Sequence, residues 1–419
     1  MHDFQYKGDE LYCEDVSIRH IVQQVGTPCY IYSHRTLTRH FRAFDDAFKD
    51  IPHIVAYAMK ANSNIAVLKL LAREGSGADI VSGGELFRAR QAGIPVEKIV
   101  FAGVGKSPDE IRYALESDIL MFNVESAAEL RQIQEVAKSL GIKARVALRI
   151  NPDIDPQTHP YISTGMKKSK FGIAADQALN EFKTAQQLSH IDVVGVHSHI
   201  GSQLTQITPF VDAIKKVVDL IKTLQSQGLE IRYMNIGGGL GITYSDESPP
   251  HPNDLAKAIS PLLQSTSCHI IMEPGRSIVG NAGILTTQVL YNKEGANKQF
   301  VIVDAAMNDL LRPSLYEAHH DIQPVLKNES APVNAVDVVG PICESGDFLA
   351  KDRKMPQPQP GDLLAVMSAG AYGFTMASNY NSRPKTPEVL VKDHHMMVIR
   401  SRETYEDLIR GESIPEIFA

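Results

Sequence analysis

Ile54-Val55-Ala56-Tyr57-Ala58-Met59-Lys60, followed within 66–74 by Val67, Leu70 and Leu71 at helical spacing, is the unit from which most of this chain is built. An uninterrupted apolar run rich in β-branched residues suits a strand buried on both faces, and apolar residues at i, i+3 and i+4 suit a helix with one covered side. Similar runs recur at 78–81, 99–102, 119–123, 144–150, 193–197, 233–236 and 269–272, and helical spacing returns between them, as at 126–140 and 210–225. Strands alternating with one-sided helices predict a parallel sheet covered by helices. Eight such units in about 240 residues match a (β/α)8 barrel in number and size. An open doubly wound sheet shares the local pattern.

Polar residues close the runs. Lys60, Ser82, Gly103, Glu125, Asn151, His199, Gly237-Gly238-Gly239 and Glu273 all fall at or just past carboxyl ends. In a barrel those ends converge on one face, where sites are built. Beyond about Gly280 the texture changes to short β-branched runs separated by turn residues such as Pro356-Gln357-Pro358-Gln359-Pro360-Gly361-Asp362. That pattern predicts an antiparallel β-sandwich or barrel. Pro28-Cys29-Tyr30-Ile31-Tyr32 reads as one more strand ahead of the barrel, suited to pairing with the C-terminal sheet. The expected division is a barrel over 35–280 and a β-domain from 1–34 plus 281–419.

Composition narrows the class. The chain has 419 residues, 43% hydrophobic, with a formal net charge of −7. A mildly acidic protein offers no general attraction for phosphate backbones, so nucleic acid is not an expected partner. The four cysteines, Cys13, Cys29, Cys268 and Cys343, are too sparse for a disulfide framework and contain no CxxC pair. No apolar run approaches the roughly 20 residues of a membrane helix. The N-terminus lacks the basic-then-apolar layout of a signal peptide. A cytoplasmic location is expected.

Several residues carry chemical potential. A lysine closing an apolar strand, such as Lys60, can be pushed towards its neutral, nucleophilic amine; it can equally snorkel or cap the strand. Gly237-Gly238-Gly239 lets backbone N–H groups approach an anion, and Glu273-Pro274-Gly275-Arg276 follows the next strand. These are the loops after strands seven and eight, where barrels commonly hold phosphate. His197 and His199 would share a face of a regular strand, a spacing that suits a metal, but no third ligand stands out. One imidazole could instead lie flat on an aromatic cofactor, or both could simply hydrogen-bond in the core. Cys343-Glu344-Ser345-Gly346-Asp347 reads as a loop whose thiol could donate a proton. Arg312 and Tyr316, in Arg312-Pro313-Ser314-Leu315-Tyr316, set a guanidinium and a phenol on one segment; the guanidinium suits a carboxylate or a surface ion pair. Tyr372, in Ala369-Gly370-Ala371-Tyr372-Gly373, is framed by small residues that suit a ligand or an ordinary turn.

Taken in order, Tyr57-Ala58-Met59-Lys60-Ala61-Asn62, His199-Ile200-Gly201-Ser202, the three glycines, Glu273-Pro274-Gly275-Arg276, CESGD at 343–347 and AGAY at 369–372 strongly resemble the fold-type III pyridoxal-phosphate decarboxylases over nearly the whole chain. CESGD, RPSLY and AGAYG together favour the diaminopimelate branch. The resemblance implies a pyridoxal 5'-phosphate (PLP) cofactor and decarboxylation of meso-2,6-diaminoheptanedioate to L-lysine and CO2, the last step of lysine biosynthesis. It implies that Lys60 holds PLP covalently, that His199 stacks on the ring and that Glu273 pairs with the ring nitrogen. Ser202, Gly239, Gly275, Arg276 and Tyr372 would surround the phosphate, with Asp79 and Ser82 as further ring-side contacts. Arg312 and Tyr316 would hold the substrate's distal carboxylate, with Arg276 and Tyr372 also near substrate, and Glu344 would read the distal ammonium. Cys343 would protonate the carbon that loses CO2, and a homodimer would supply Cys343 and Glu344 across its interface. The alternatives are a sister decarboxylase of carboxynorspermidine or another basic amino acid, and a metal-dependent barrel hydrolase using His197 and His199. Met59 stands where the family commonly has valine, and Glu317 replaces a small residue. Lys167, Lys168 and Lys170 lie in a loop associated with substrate choice and receive no assigned role.

Overall fold

The computed structural model describes residues 2–154 and 170–418. It separates into two compact units, Thr38–Ile278 and Met1–Leu37 with Val279–Ala419. In the first, eight parallel strands follow one another: His53–Ala58, Gly77–Ile80, Ile99–Phe101, Met121–Val124, Ala144–Asn151, Ile191–His197, Tyr233–Asn235 and His269–Met272. The eighth pairs in parallel with the first, Ile270 opposite His53 and Met272 opposite Val55. That pairing closes the sheet and decides for the barrel against the open doubly wound sheet. Ala56, Val100, Met121, Ala147, Val194 and Ile271 form one buried cluster within it, as expected of a barrel whose interior is packed with side chains.

Local chemistry sets the helix starts on the carboxyl side of the strands. Ser82 Oγ accepts the Glu85 N–H at the head of Gly83–Ala92, and Ser126 Oγ accepts the Glu129 N–H at the head of Ala127–Leu140. Ser107 and Glu110 form a reciprocal capping box at the start of Pro108–Glu116. Gly93 and Gly141 end two of these helices in the left-handed conformation, which glycine adopts without a Cβ penalty.

A buried ion pair braces this end of the barrel. Lys106 Nζ lies 2.6 Å from Glu129 Oε1, with side-chain exposures of 1% and 6%. The same ammonium donates to the carbonyls of Gly103 and Asn123, and Glu129 Oε2 accepts the Glu125 N–H. The strand end carrying Asn123 and Glu125 is thereby tied to the helix that follows it.

In the second unit, Cys29–Ser33 joins the C-terminal strands as the sequence suggested. It runs antiparallel to Gly283–Glu294 and parallel to Glu388–Lys392. Ile18, Ile21, Ile31, Ile284, Val325, Met367 and Val389 belong to its buried core. Most neighbouring strands are antiparallel, as expected, but Gln299–Val303 and Val333–Val339 are parallel. The connection 304–332, which contains the helix Arg312–Tyr316, is long enough for the crossover a parallel pair requires. Among the described residues no helix is long and apolar enough to cross a membrane.

Replacing Lys106 with Met strands the buried Glu129 carboxylate without its cation and is expected to cost about 3 kcal/mol of stability. A Lys106→Met/Glu129→Leu double variant should recover most of that loss. Denaturant unfolding of the three proteins checks both expectations.

Candidate active site

The first barrel strand stops at Ala58, whose N–H donates to the Pro274 carbonyl, and Met59–Ala61 form a single 3-10 turn. Lys60 therefore stands on a turn and not at a buried strand end, and its side chain keeps 38% exposure. The burial expected at Lys60 falls on its partner. Asp79, in the second strand, is fully buried, and its Oδ2 accepts from Lys60 Nζ at 2.6 Å. Burial and the nearby Glu273 carboxylate push the Asp79 pKa up to about 7, against the pull of Lys60. Ser82 serves as a helix cap, with its hydroxyl on Glu85 N–H.

Glu273, just past the eighth strand, is enclosed by three side chains that close strands four, six and seven. Its Oε1 accepts from Asn235 Nδ2 at 2.6 Å and from Asn123 Nδ2 at 3.0 Å. Its Oε2 lies 3.4 Å from His197 Nε2, an ion-pair distance without hydrogen-bond alignment. Burial works to raise the Glu273 pKa. The surrounding imidazoles and Lys60 outweigh it, and the carboxyl is held below the ordinary carboxylate range. Two buried acids at one mouth are thus driven in opposite directions. Asn123 and Asn235 were not singled out in the sequence; the only sign was their position, one closing the fourth apolar run and the other preceding the glycines.

His199 Nδ1 accepts the Gly238 N–H at 3.2 Å. A backbone N–H can only donate, so the imidazole proton resides on Nε2. The ring is partly exposed, but burial of its polar atoms, with Arg149 and Lys60 nearby, lowers its pKa well below the ordinary 6.5. Arg149, ion-paired with Glu125 at 2.7 Å, also donates to the His199 carbonyl. His197 and His199 therefore have separate surroundings, and no group of three metal-ligating side chains occurs among the described residues.

The three glycines are required by crowding. A Cβ on Gly238 would overlap the Glu273 carbonyl oxygen, and one on Gly239 the Gly201 carbonyl oxygen. Gly237 donates its N–H to Asn235 Oδ1 at 2.9 Å, so Asn235 ties this loop to Glu273. Gly275 packs against Ala58 and Ala61. Arg276 is buried; its Nη2 lies 3.0 Å from Ser202 Oγ and its Nη1 2.6 Å from Tyr244 Oη. Tyr244 was not anticipated, since it falls in a loop without a recognisable pattern.

The remaining expected residues belong to the other unit. Arg312 and Tyr316 stand at either end of the helix Arg312–Tyr316, with Arg312 buried. Ser314 Oγ between them donates to the Gly346 carbonyl at 2.6 Å, joining this helix to the 343–347 loop. Asp347 anchors that loop by accepting the Met307 and Ile342 N–H groups, while Cys343 and Glu344 are exposed. Tyr372 holds a left-handed backbone, φ 57°. Lys170 lies over the Phe171 ring; Lys167 and Lys168 lie outside the described residues.

An amine beside a carboxylate, a buried anionic Glu273, a neutral imidazole, and a glycine loop beside a buried guanidinium are the groups that an aldehyde, a ring nitrogen, an aromatic face and a phosphate call for. The donor set fits PLP. Residues 34–280 match the family model described as the pyridoxal-binding domain of pyridoxal-dependent decarboxylases. The chain belongs to that class, whose cofactor is pyridoxal phosphate.

Within the class it belongs to the diaminopimelate decarboxylase family. It is 52% identical to diaminopimelate decarboxylase of Aquifex aeolicus over 406 residues, covering 97% of this chain and 96% of that one. It is 51% identical to the Pseudomonas aeruginosa enzyme over 414 residues, 99% of both chains. The crystal structure of the Helicobacter pylori enzyme complexed with L-lysine superposes with a TM-score of 0.91 at 48% identity, covering 94% of this chain and 98% of that one. Neither the sister decarboxylase nor the metal hydrolase gains support.

Folded His199 releases its proton more readily than the unfolded chain does, so below 6.5 the unfolded state binds the extra proton. The stability that follows from a neutral His199 is present above that value and is lost as pH falls below it. A His199→Asn variant lacks this dependence. The stability difference between wild type and variant should shift steadily against the wild type from pH 7.5 to pH 5, as read from urea midpoints.

Proposed function

We propose that this chain decarboxylates meso-2,6-diaminoheptanedioate to L-lysine and CO2 with PLP, as the final step of lysine biosynthesis. The observation that carries the reading is the cluster at the barrel mouth, where the Lys60 amine, the buried Asp79 and the anionic Glu273 lie within one electrostatic neighbourhood. PLP, when bound, supplies an electron sink for the pair left behind by departing CO2. Glu273 would pair with a cationic ring nitrogen, because the surrounding imidazoles and Lys60 hold its carboxylate ionised while Asn123 and Asn235 hold it in place. Lys60 would anchor the cofactor through its amine, and Asp79, which accepts from Lys60 Nζ, would take or return that amine's proton near neutral pH. His199, uncharged, offers a flat face without competing for the negative charge of the phosphate. Ser202, Gly239, Gly275, Arg276 and Tyr372 are assigned to that phosphate.

Substrate recognition is assigned to the sheet unit, which we take with the barrel as the two functional domains. Arg312 and Tyr316 bind the distal carboxylate and Glu344 the distal ammonium. The bond from the D-configured carbon to its carboxylate breaks, CO2 leaves, and one proton must be delivered to that carbon; Cys343 is the proposed donor. The exposure of Cys343 and Glu344 on a single chain supports a homodimer in which each copy completes the other's site. A cytoplasmic enzyme follows from the same reading.

Purified protein loaded with PLP should release L-lysine and CO2 from the meso compound, and borohydride should fix the cofactor on Lys60. Lys60→Ala and Cys343→Ala should each be inactive or nearly so, and mixing the two should restore activity that neither has alone. Absence of lysine from the wild type removes the assigned reaction. Absence of complementation between two folded, inactive variants removes the shared site.

A further inference from the structure

His320 lies wholly inside the sheet unit, at 0% exposure. Its two ring nitrogens have different partners. Nδ1 is 2.8 Å from the Met367 carbonyl oxygen, and Nε2 is 2.8 Å from Arg312 Nη1. A carbonyl can only accept and a guanidinium can only donate. Nδ1 must therefore carry the proton, and Nε2 must present its lone pair to Arg312. The geometry allows one tautomer only, and a second proton would set N–H against N–H in a buried place.

The backbone around His320 is equally constrained. The Met367 N–H donates to the Asp321 carbonyl, Ile322 pairs with Val366, and Arg353 Nη1 donates to the His320 carbonyl at 2.8 Å. The imidazole is thus fixed by a strand pair, and it holds in turn one arm of the Arg312 guanidinium, Nη1, which restrains the plane of the fork. A guanidinium recognises a carboxylate by planar alignment of its N–H fork, so a rotated plane loses contacts that a point charge would keep.

We infer that His320 is the positioning residue that sets Arg312 for the substrate's distal carboxylate, and so helps determine the preference for diamino acids that bear one. This rests on the assignment of Arg312 given above. His320 itself does not touch the reacting atoms.

Two holoenzyme variants separate positioning from folding. His320→Asn places an amide where Nδ1 stood, keeping the bond to Met367 while removing the Nε2 acceptor that faces Arg312 Nη1. His320→Phe keeps the ring volume and removes both bonds. The readout is the inhibition constant of L-lysine, which retains the distal carboxylate, against that of 1,5-diaminopentane, which does not. Loss of one hydrogen bond to a charged group should weaken L-lysine about ten- to a hundredfold. Binding of 1,5-diaminopentane should stay unchanged, and His320→Gln, whose carbonyl reaches the Nε2 position, should recover part of the L-lysine affinity. Equal weakening of both ligands, or unchanged L-lysine in His320→Asn, overturns the inference. Arg312→Ala is the control. If it does not lose L-lysine selectively, the assignment of Arg312 fails and the inference with it; if it does and His320→Asn does not, the inference alone fails.

Discussion

The pairing of the eighth barrel strand with the first is the constraint on which the site depends. Lys60 follows one of these strands and Glu273 the other, from opposite ends of the barrel sequence, and only closure makes the strands neighbours. The bond from Ala58 N–H to the Pro274 carbonyl continues that pairing beyond its last register partners, Val55 and Met272. Asp79 enters through the next strand and Asn235 through the previous one. An open sheet with the same local sequence would leave the amine and the carboxylate on different edges.

Closure also explains how two buried acids can behave oppositely a short distance apart. Glu273 has two amide donors on one oxygen and an imidazole beside the other. Among the described residues, Asp79 accepts from the Lys60 ammonium on one oxygen, and its other oxygen is buried without a partner. Each carboxylate raises the cost of ionising the other, and the better-solvated one takes the charge. A stable anion beside an acid poised near neutrality is the arrangement that lets one fold perform electrostatic holding and proton exchange together.

Much of this was legible in the sequence, and the omissions have physical reasons. The apolar runs revealed the barrel because strands buried on both faces leave no alternation to confuse them. Lys60, His199, the glycines and Glu273 were visible because each follows such a run. The 3-10 turn at Lys60 was not, since three residues carry no periodicity. Asn123 and Asn235 escaped because an asparagine closing an apolar strand looks like a turn residue until the carboxylate it holds is known. Tyr244 meets Arg276 32 positions away, and His320 meets Arg312 across a turn rather than along one helix or strand, so no spacing rule reaches them. The two parallel pairings in the sheet unit depend on long connections, which strand patterns alone do not orient.

The proposed division of labour makes the two units answer to different pressures. In the barrel, crowding around the three glycines and the shared hydrogen bonds of Asn235 link Glu273, the proposed ring-nitrogen partner, to the glycine loop proposed for the phosphate, so a change at one disturbs the other. Such a cluster resists gradual alteration. In the sheet unit, the proposed substrate contacts hang on devices of their own, Arg312 on His320 and the 343–347 loop on Asp347, joined to each other through Ser314 Oγ and the Gly346 carbonyl. Each device can vary while leaving the carboxylate cage intact. Departures such as Glu317, next to Tyr316 and in a left-handed backbone of its own, therefore fall in the unit to which substrate recognition is assigned and outside the carboxylate cage of the barrel.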